Sequence, residues 1–214
     1  MRMPNLSDLD KEQERIYLNA KDDGVILVTG PPGSGKTVMA YYRAIRLKKK
    51  NIDVKFLMFT NVLSKYVQSG NEAITTKTLD SWAISWWKKA FGETIPKSPP
   101  TSRYSKYWPI NWVGACEYIA ANYSREESIR ALDWKHMIID EGQDFSKDLY
   151  TLFNLLRGMI NPDKPPALTV FADDNQQLNP ETNCTTREVC DALALRNDKS
   201  SNFKLQKNFS IFNI

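Results

Sequence analysis

The chain has 214 residues but only one histidine, His136, and three scattered cysteines, Cys116, Cys184 and Cys190. One histidine leaves little for a zinc site. An odd, scattered cysteine count argues against a disulfide framework and for a reducing compartment. No apolar run approaches the ~18 residues a membrane span needs. The N-terminal "MRMPNLSDLDKEQ" lacks the apolar core of a signal peptide. The cytoplasm is therefore the expected location, with no membrane partner. Internal repeats and low-complexity tracts are also missing. Charge of one sign is scarce: 29 Lys and Arg against 25 Asp and Glu leave a net +4. The sequence pI of about 8.8 lies under the range above ~9 that marks nucleic-acid-binding domains. A polyanionic partner is permitted, not demanded.

What is present is an alternation. "DKEQERIYLNA" (10–20) predicts a helix with Asp10 as N-cap, and "GVILVTG" (24–30) a short buried strand ending in glycine. "KTVMAYYRAIRLKKKN" (36–51) predicts a helix whose basic last turn suits the helix dipole. The run Lys48-Lys49-Lys50 reads as its solvated end. Strands follow at 53–60, 135–140 and 167–172, and helices at 78–91, 113–123 and 145–159. Residues 92–111, rich in Pro, Ser, Tyr and Trp, read as irregular. Strands alternating with helices predict an α/β domain with a parallel sheet covered on both faces. The length suits one large domain with a modest insert. We divide it as 1–91 plus 134–214 for the sheet domain and 92–133 for a short helical or irregular insert.

"GPPGSGKT", residues 30–37, follows a strand and opens a helix, the context that makes G-x-x-x-x-G-K-[ST] a phosphate-binding P-loop. Gly30, Pro31, Pro32, Gly33, Ser34 and Gly35 would form a tight loop with inward N–H groups, and the helix N-terminus would add its positive end. Lys36 would reach the β- and γ-phosphates, and Thr37 would give a hydroxyl to Mg²⁺. The expected ligand is a nucleoside triphosphate with Mg²⁺.

"MIIDEGQDFS" (137–146) ends an apolar run on paired carboxylates. Asp140 can serve as the metal's second protein ligand and Glu141 can orient or deprotonate an attacking water. One carboxylate is spent on the metal, so another must serve the water. The competing reading is that both merely cap the next helix. Gln143 and Asp144 have no rationale from chemistry alone.

"IIDEGQDF" resembles the D-E-x-Q-D motif of UvrD/Rep-type superfamily 1 DNA helicases, and other segments resemble that family's motifs in its order. "DKEQERI" looks like its N-terminal Q-motif, which implies that Gln13 reads the adenine edge of ATP; locally, Asp10-x-x-Gln13 is equally a capping box. "FLMFTNVLS" (56–64) and "ITTKTLDSWA" (74–83) are similar to segments that face single-stranded DNA. "TVFADDNQQL" (169–178) resembles the family's G-D-x-x-Q motif. That resemblance implies Asp173 near the metal-water network and Gln176 sensing the γ-phosphate; without it, Asp173-Asp174-Asn175 reads as a polar turn. The implied fold is a RecA-like P-loop domain. The implied activity is ATP hydrolysis coupled to translocation on single-stranded DNA, or RNA in its place.

The resemblance has two gaps. "KLQKNFSIFNI" at the C-terminus is similar to the opening of the next motif, but Ser210 stands where an arginine is expected after Asn208-Phe209. The second motor domain would have to come in cis or from a partner subunit. Arginine fingers are worth on the order of 10³–10⁵ in rate, so the chain alone is expected to bind ATP-Mg²⁺ and hydrolyse it weakly. In "SRYSKYWPINW" (102–112), Arg103 and Lys106 interleave with Tyr104, Tyr107, Trp108 and Trp112. That pattern suits stacking on unpaired bases, or equally a satellite core. Trp82 and Trp86, four apart on one helix, read as core.

Three other readings remain at this stage. One is a nucleotide-gated regulator, such as an ATP-sensing subunit of a nuclease or defence complex. Another is a small-molecule kinase, which the tandem Asp140-Glu141 and the Gln176 segment oppose. The last is a nucleic-acid-binding module with a dead nucleotide site.

Overall fold

Short runs of β-branched and long apolar residues form the centre of the molecule. In the computed structural model, which describes residues 5–58, 74, 76–100, 108–173, 183–195 and 200–206, they become strands β1 (Val25–Thr29), β2 (Val54–Met58), β3 (Thr76–Thr78), β4 (His136–Ile139), β5 (Ala167–Ala172) and β6 (Asn202–Lys204). All pairings are parallel, in the order β3-β2-β4-β5-β1-β6. Every residue of β4 and β5 is buried, as central strands covered on both faces must be. Register follows: Leu27 pairs with Val170 and Val170 with Ile139, so like faces align across the sheet.

Two apolar layers result. On one face Ile26, Val28, Ile138 and Phe171 pack against helices α1 (Lys11–Asn19) and α2 (Lys36–Lys49). On the other, Leu27, Met137, Ile139 and Val170 meet α3 (Leu79–Phe91), α4 (Trp112–Ala121), α5 (Glu126–Ala131), α6 (Lys147–Ile160) and α7 (Thr186–Ala192). Ile95, Trp112, Ile119 and Leu132, from residues 92–133, join this second layer. Trp82 and Trp86 are core, stacked with centroids 4.6 Å apart, and Phe153 lies between Trp82 and Trp134. Their polar atoms are satisfied: Trp86 Nε1 donates to Leu132 O at 2.8 Å and Trp134 Nε1 to Ala167 O at 2.9 Å. Trp112 is core as well, while Trp108 is half exposed; residues 101–107 of that stretch lie outside the described residues. The lysines at 48–50 are exposed.

A buried polar cluster ties the opposite end of the sheet together. Arg43 of α2 donates to Thr169 Oγ1 at 2.7 Å, Thr169 meets His136 Nε2 at 3.0 Å, and His136 Nδ1 meets the Asp22 carbonyl at 3.1 Å. A carbonyl can only accept, so Nδ1 carries the proton. The buried ring stays neutral, and Nε2 takes the Thr169 hydroxyl proton. Burial first, then the Arg43 charge, pushes the His136 pKa down to about 3.

The expected long elements are present within a few residues of the expected ends. The unexpected ones are short. β3 and β6 have three residues each, α5 six and α7 seven, too few to show a period. Among the described residues no helix is long and apolar enough to cross a membrane.

Helix α1 begins on Asp10, whose carboxylate accepts from Glu12 N and Gln13 N, each at 2.8 Å. Asp10→Ala should cost about 1 kcal/mol in urea unfolding; an unchanged midpoint would show that the cap does not matter.

Candidate functional site

Parallel strands deliver their C-terminal ends to one edge of the sheet. Here three adjacent strands do so: β1 runs into Gly30, β4 into Asp140 and β5 into Asp173. The loop 30–35 then turns into α2, and Ser34 N donates to Pro31 O at 3.2 Å. Gly35 is left-handed, with φ 82°, and a Cβ there would lie 2.4 Å from the Gln13 amide nitrogen. Only glycine meets both demands. Gln13 is buried, and its amide does two jobs. Oε1 accepts from Asp10 N at 3.1 Å, closing the capping box, and Nε2 donates to Ser34 O at 3.0 Å. The helix cap and the loop are thus fastened through one side chain. The Ser34 hydroxyl is buried without a hydrogen-bond partner.

Lys36 is 6% exposed. Its ammonium donates to Gly30 O at 2.8 Å, Pro31 O at 3.0 Å and Asp173 Oδ2 at 3.2 Å. Asp140 is fully buried, and neither of its oxygens makes a well-formed hydrogen bond. Burial and the neighbouring Glu141 charge push its pKa up to about 7; the Thr37 hydroxyl, the Glu141 backbone and the Lys36 charge oppose this. Two bare carboxylate oxygens beside a threonine hydroxyl fit a hard divalent cation. Among the described residues no three His, Cys, Asp or Glu side chains gather to hold a metal. A cation here would complete its shell with water and ligand oxygens, as Mg²⁺ does.

Glu141 is left-handed too, at φ 54° and ψ 47°, a conformation that costs a non-glycine residue about 1–3 kcal/mol. Gln143, which sequence chemistry left without work, explains how it is held. Gln143 is 0% exposed. Its Nε2 donates to Glu141 Oε2 at 2.9 Å while its Oε1 accepts from Asp173 N at 2.9 Å. One amide spans the ends of β4 and β5. Asp144 accepts from Asn183 Nδ2 at 3.0 Å. Gly142 is set by packing: an added Cβ would fall 2.4 Å from Val170 Cγ1, and the Tyr150 hydroxyl donates to Gly142 O at 2.6 Å. Lys36, Thr37, Asp140, Glu141 and Asp173 therefore gather at one edge, with Gln13 behind the loop. Gln176 lies outside the described residues, as do Asp174 and Asn175, residues 59–64, and Asn208 to Ser210. Thr76 to Thr78, from the segment read as DNA-facing, form edge strand β3, and Thr78 caps α3.

Two titrations should oppose each other. His136 has an ordinary pKa of 6.5 and a folded value of about 3. Its contribution to stability is whole above 6.5 and is lost as pH falls toward 3. Asp140, raised from 3.8 to about 7, does the reverse: its contribution is whole below 3.8 and lost as pH rises through about 7. Asp140→Asn removes one slope. Between about pH 4 and 6.5 the variant's unfolding free energy should fall on acidification by about 1.4 kcal/mol per unit more steeply than wild type. Urea titrations across that range check this, and parallel curves would refute it. Separately, Gly142→Ala should destabilise the fold by about 1–3 kcal/mol through overpacking against β5, read as a drop in urea midpoint.

The family model described as "AAA domain" matches residues 13–181. No curated protein matches the chain. Among solved structures, the Pif1 helicase of Candida albicans aligns over 94% of this chain and 40% of its own, at 17% identity and a TM-score of 0.57. Pif1 from Bacteroides sp in complex with ADP-AlF4 aligns over 94% and 43%, at 17% identity and a TM-score of 0.48. Bacteroides Pif1 bound to ssDNA aligns over 94% and 42%, at 18% and 0.45. Of these three, the Candida structure is near enough to bear on the fold, and this chain spans about 40% of that helicase's length. With the family model matched over most of its length, the chain belongs to the AAA domain family, and it shares the fold of the aligned part of the Candida albicans Pif1 helicase.

Proposed function

We propose that this chain is the ATP-binding and ATP-hydrolysing motor domain of a UvrD/Rep-like DNA helicase. The observation that carries the reading is Asp140: a fully buried carboxylate without a well-formed hydrogen bond, beside Thr37 and Lys36 at the mouth of a glycine-rich loop. A buried carboxylate in this setting either takes up a proton or meets a cation that seeks oxygen.

The proposed roles combine the geometry of the described residues with what the family resemblance implies for Gln13, Asp173 and Gln176. The 30–35 backbone and Lys36 hold the phosphates. Thr37 and Asp140 would hold Mg²⁺, which would supply positive charge against the phosphoryl oxygens. Glu141, steered by Gln143, orients and deprotonates the attacking water. Asp173 and Gln176 respond to the γ-phosphate. Gln13 reads the adenine edge with the hydrogen-bonding capacity its amide retains beyond Asp10 and Ser34. The wider assembly belongs to the same proposal: cytoplasmic location, a second motor domain in cis or from a partner subunit, and single-stranded nucleic acid as track.

Nucleotide titration of the purified chain tests this. Lys36→Ala should weaken ATP-Mg²⁺ binding by about tenfold or more, the worth of one charge-assisted hydrogen bond. Glu141→Gln should bind as wild type does and lose about 10²–10⁴ of the slow hydrolysis rate, as removal of a general base does. Equal ATP affinity in wild type and Lys36→Ala would end the nucleotide reading. Hydrolysis undiminished in Glu141→Gln would remove Glu141 from the mechanism.

A further inference from the structure

We propose that Asp173 is a built-in competitor of the ligand's phosphate, locking Lys36 until a molecule with a β-phosphate displaces it. The inference rests on reading residues 30–37 as a phosphate cradle.

An ammonium has three protons to give. All three are committed: to Gly30 O at 2.8 Å, Pro31 O at 3.0 Å and Asp173 Oδ2 at 3.2 Å. The Lys36 and Asp173 side chains are 6% and 1% exposed, so the pair is largely shielded from solvent. An incoming oxygen must therefore take one of three places. Two belong to backbone carbonyls of the loop itself and move only if the loop does. The third belongs to a side chain on another strand. Asp173 can yield its carboxylate while its backbone stays put, because Asp173 N–H is fastened to Gln143 Oε1 at 2.9 Å.

Charge sets the threshold. Separating a buried ammonium from its carboxylate is costly unless the newcomer brings negative charge of its own. A β-phosphate does so at the place Lys36 is built to reach. A nucleoside or a monophosphate does not extend that far, and it leaves the pair intact. The pair thus discriminates di- and triphosphates from monophosphates before any cation enters. Displacement also changes what surrounds Glu141. Asp173 then holds a negative charge without Lys36, tied through Gln143 to the carboxylate that steers water.

The test is the affinity of ADP and of AMP, each in EDTA, for wild type and Asp173→Asn. ADP should bind the variant more tightly, on the order of tenfold, because it no longer breaks a charge-assisted bond. AMP should bind both alike. ADP bound no more tightly by the variant overturns the proposal, and so does an equal gain for AMP, which would mean a generally loosened site. ADP bound by neither protein overturns the cradle reading itself. Wild type alone gives a second measurement. In ¹⁵N-lysine NMR of the ligand-free chain, the Lys36 ammonium should exchange its protons slowly, and its signal should move on adding ADP but not AMP. A fast-exchanging Lys36 ammonium in the free protein refutes the lock, whatever the variant does.

Discussion

Charge taken out of water must be balanced within a few ångströms, and this molecule takes several charges out of water at one edge of its sheet. Lys36, Asp140 and Asp173 are all under 9% exposed, with Glu141 half-buried beside them. The site settles the account in two ways. Lys36 pairs with Asp173, and Asp140 moves toward its neutral form. Neither arrangement suits a ligand with phosphates and a cation. In the proposed function both would reverse, with phosphate taking over the ammonium and the cation the carboxylate. The sheet, the loop and the helices are the means of holding four titratable groups together at one largely buried place.

How much of this the sequence disclosed depended on the length of each signal. The strand, loop and helix around residues 30–37 were legible because the three signals follow one another directly in the chain. The core role of Trp82 and Trp86 was legible from their spacing of four. β3 and β6 were not, since three residues carry no period, and their pairing comes from neighbours far away in the chain. Gln143 illustrates a second kind of blindness. Its partners are two residues back and thirty ahead, so no local reading could assign it. Gln13 was read two ways, as cap and as ligand contact. The capping box is there, yet the same amide also reaches the loop at Ser34.

The far end of the sheet does complementary work. Arg43, Thr169, His136 and the Asp22 carbonyl form a closed chain of donors and acceptors that joins α2 to β4 and β5. Arg46 and Lys50, further along α2, both pair with Asp22. Helix α2 is therefore anchored to the sheet near its base, and its first turn carries Lys36 and Thr37 into the site. A helix fixed at its base presents its N-terminus at a defined height above the strand ends. Positioning to a fraction of an ångström is what phosphoryl chemistry requires of a scaffold.

The left-handed backbone of Glu141 bears on how variants of this protein should be judged. Glycine or asparagine occupies that region with little or no strain, so the residue that suits the chain's shape is not the one that suits its proposed chemistry. A selection for thermal stability would favour replacing Glu141, and a selection for turnover would restore it. Robustness alone is therefore a misleading guide at this position, since the most durable member of a mutant library can be the one with no water-activating group left.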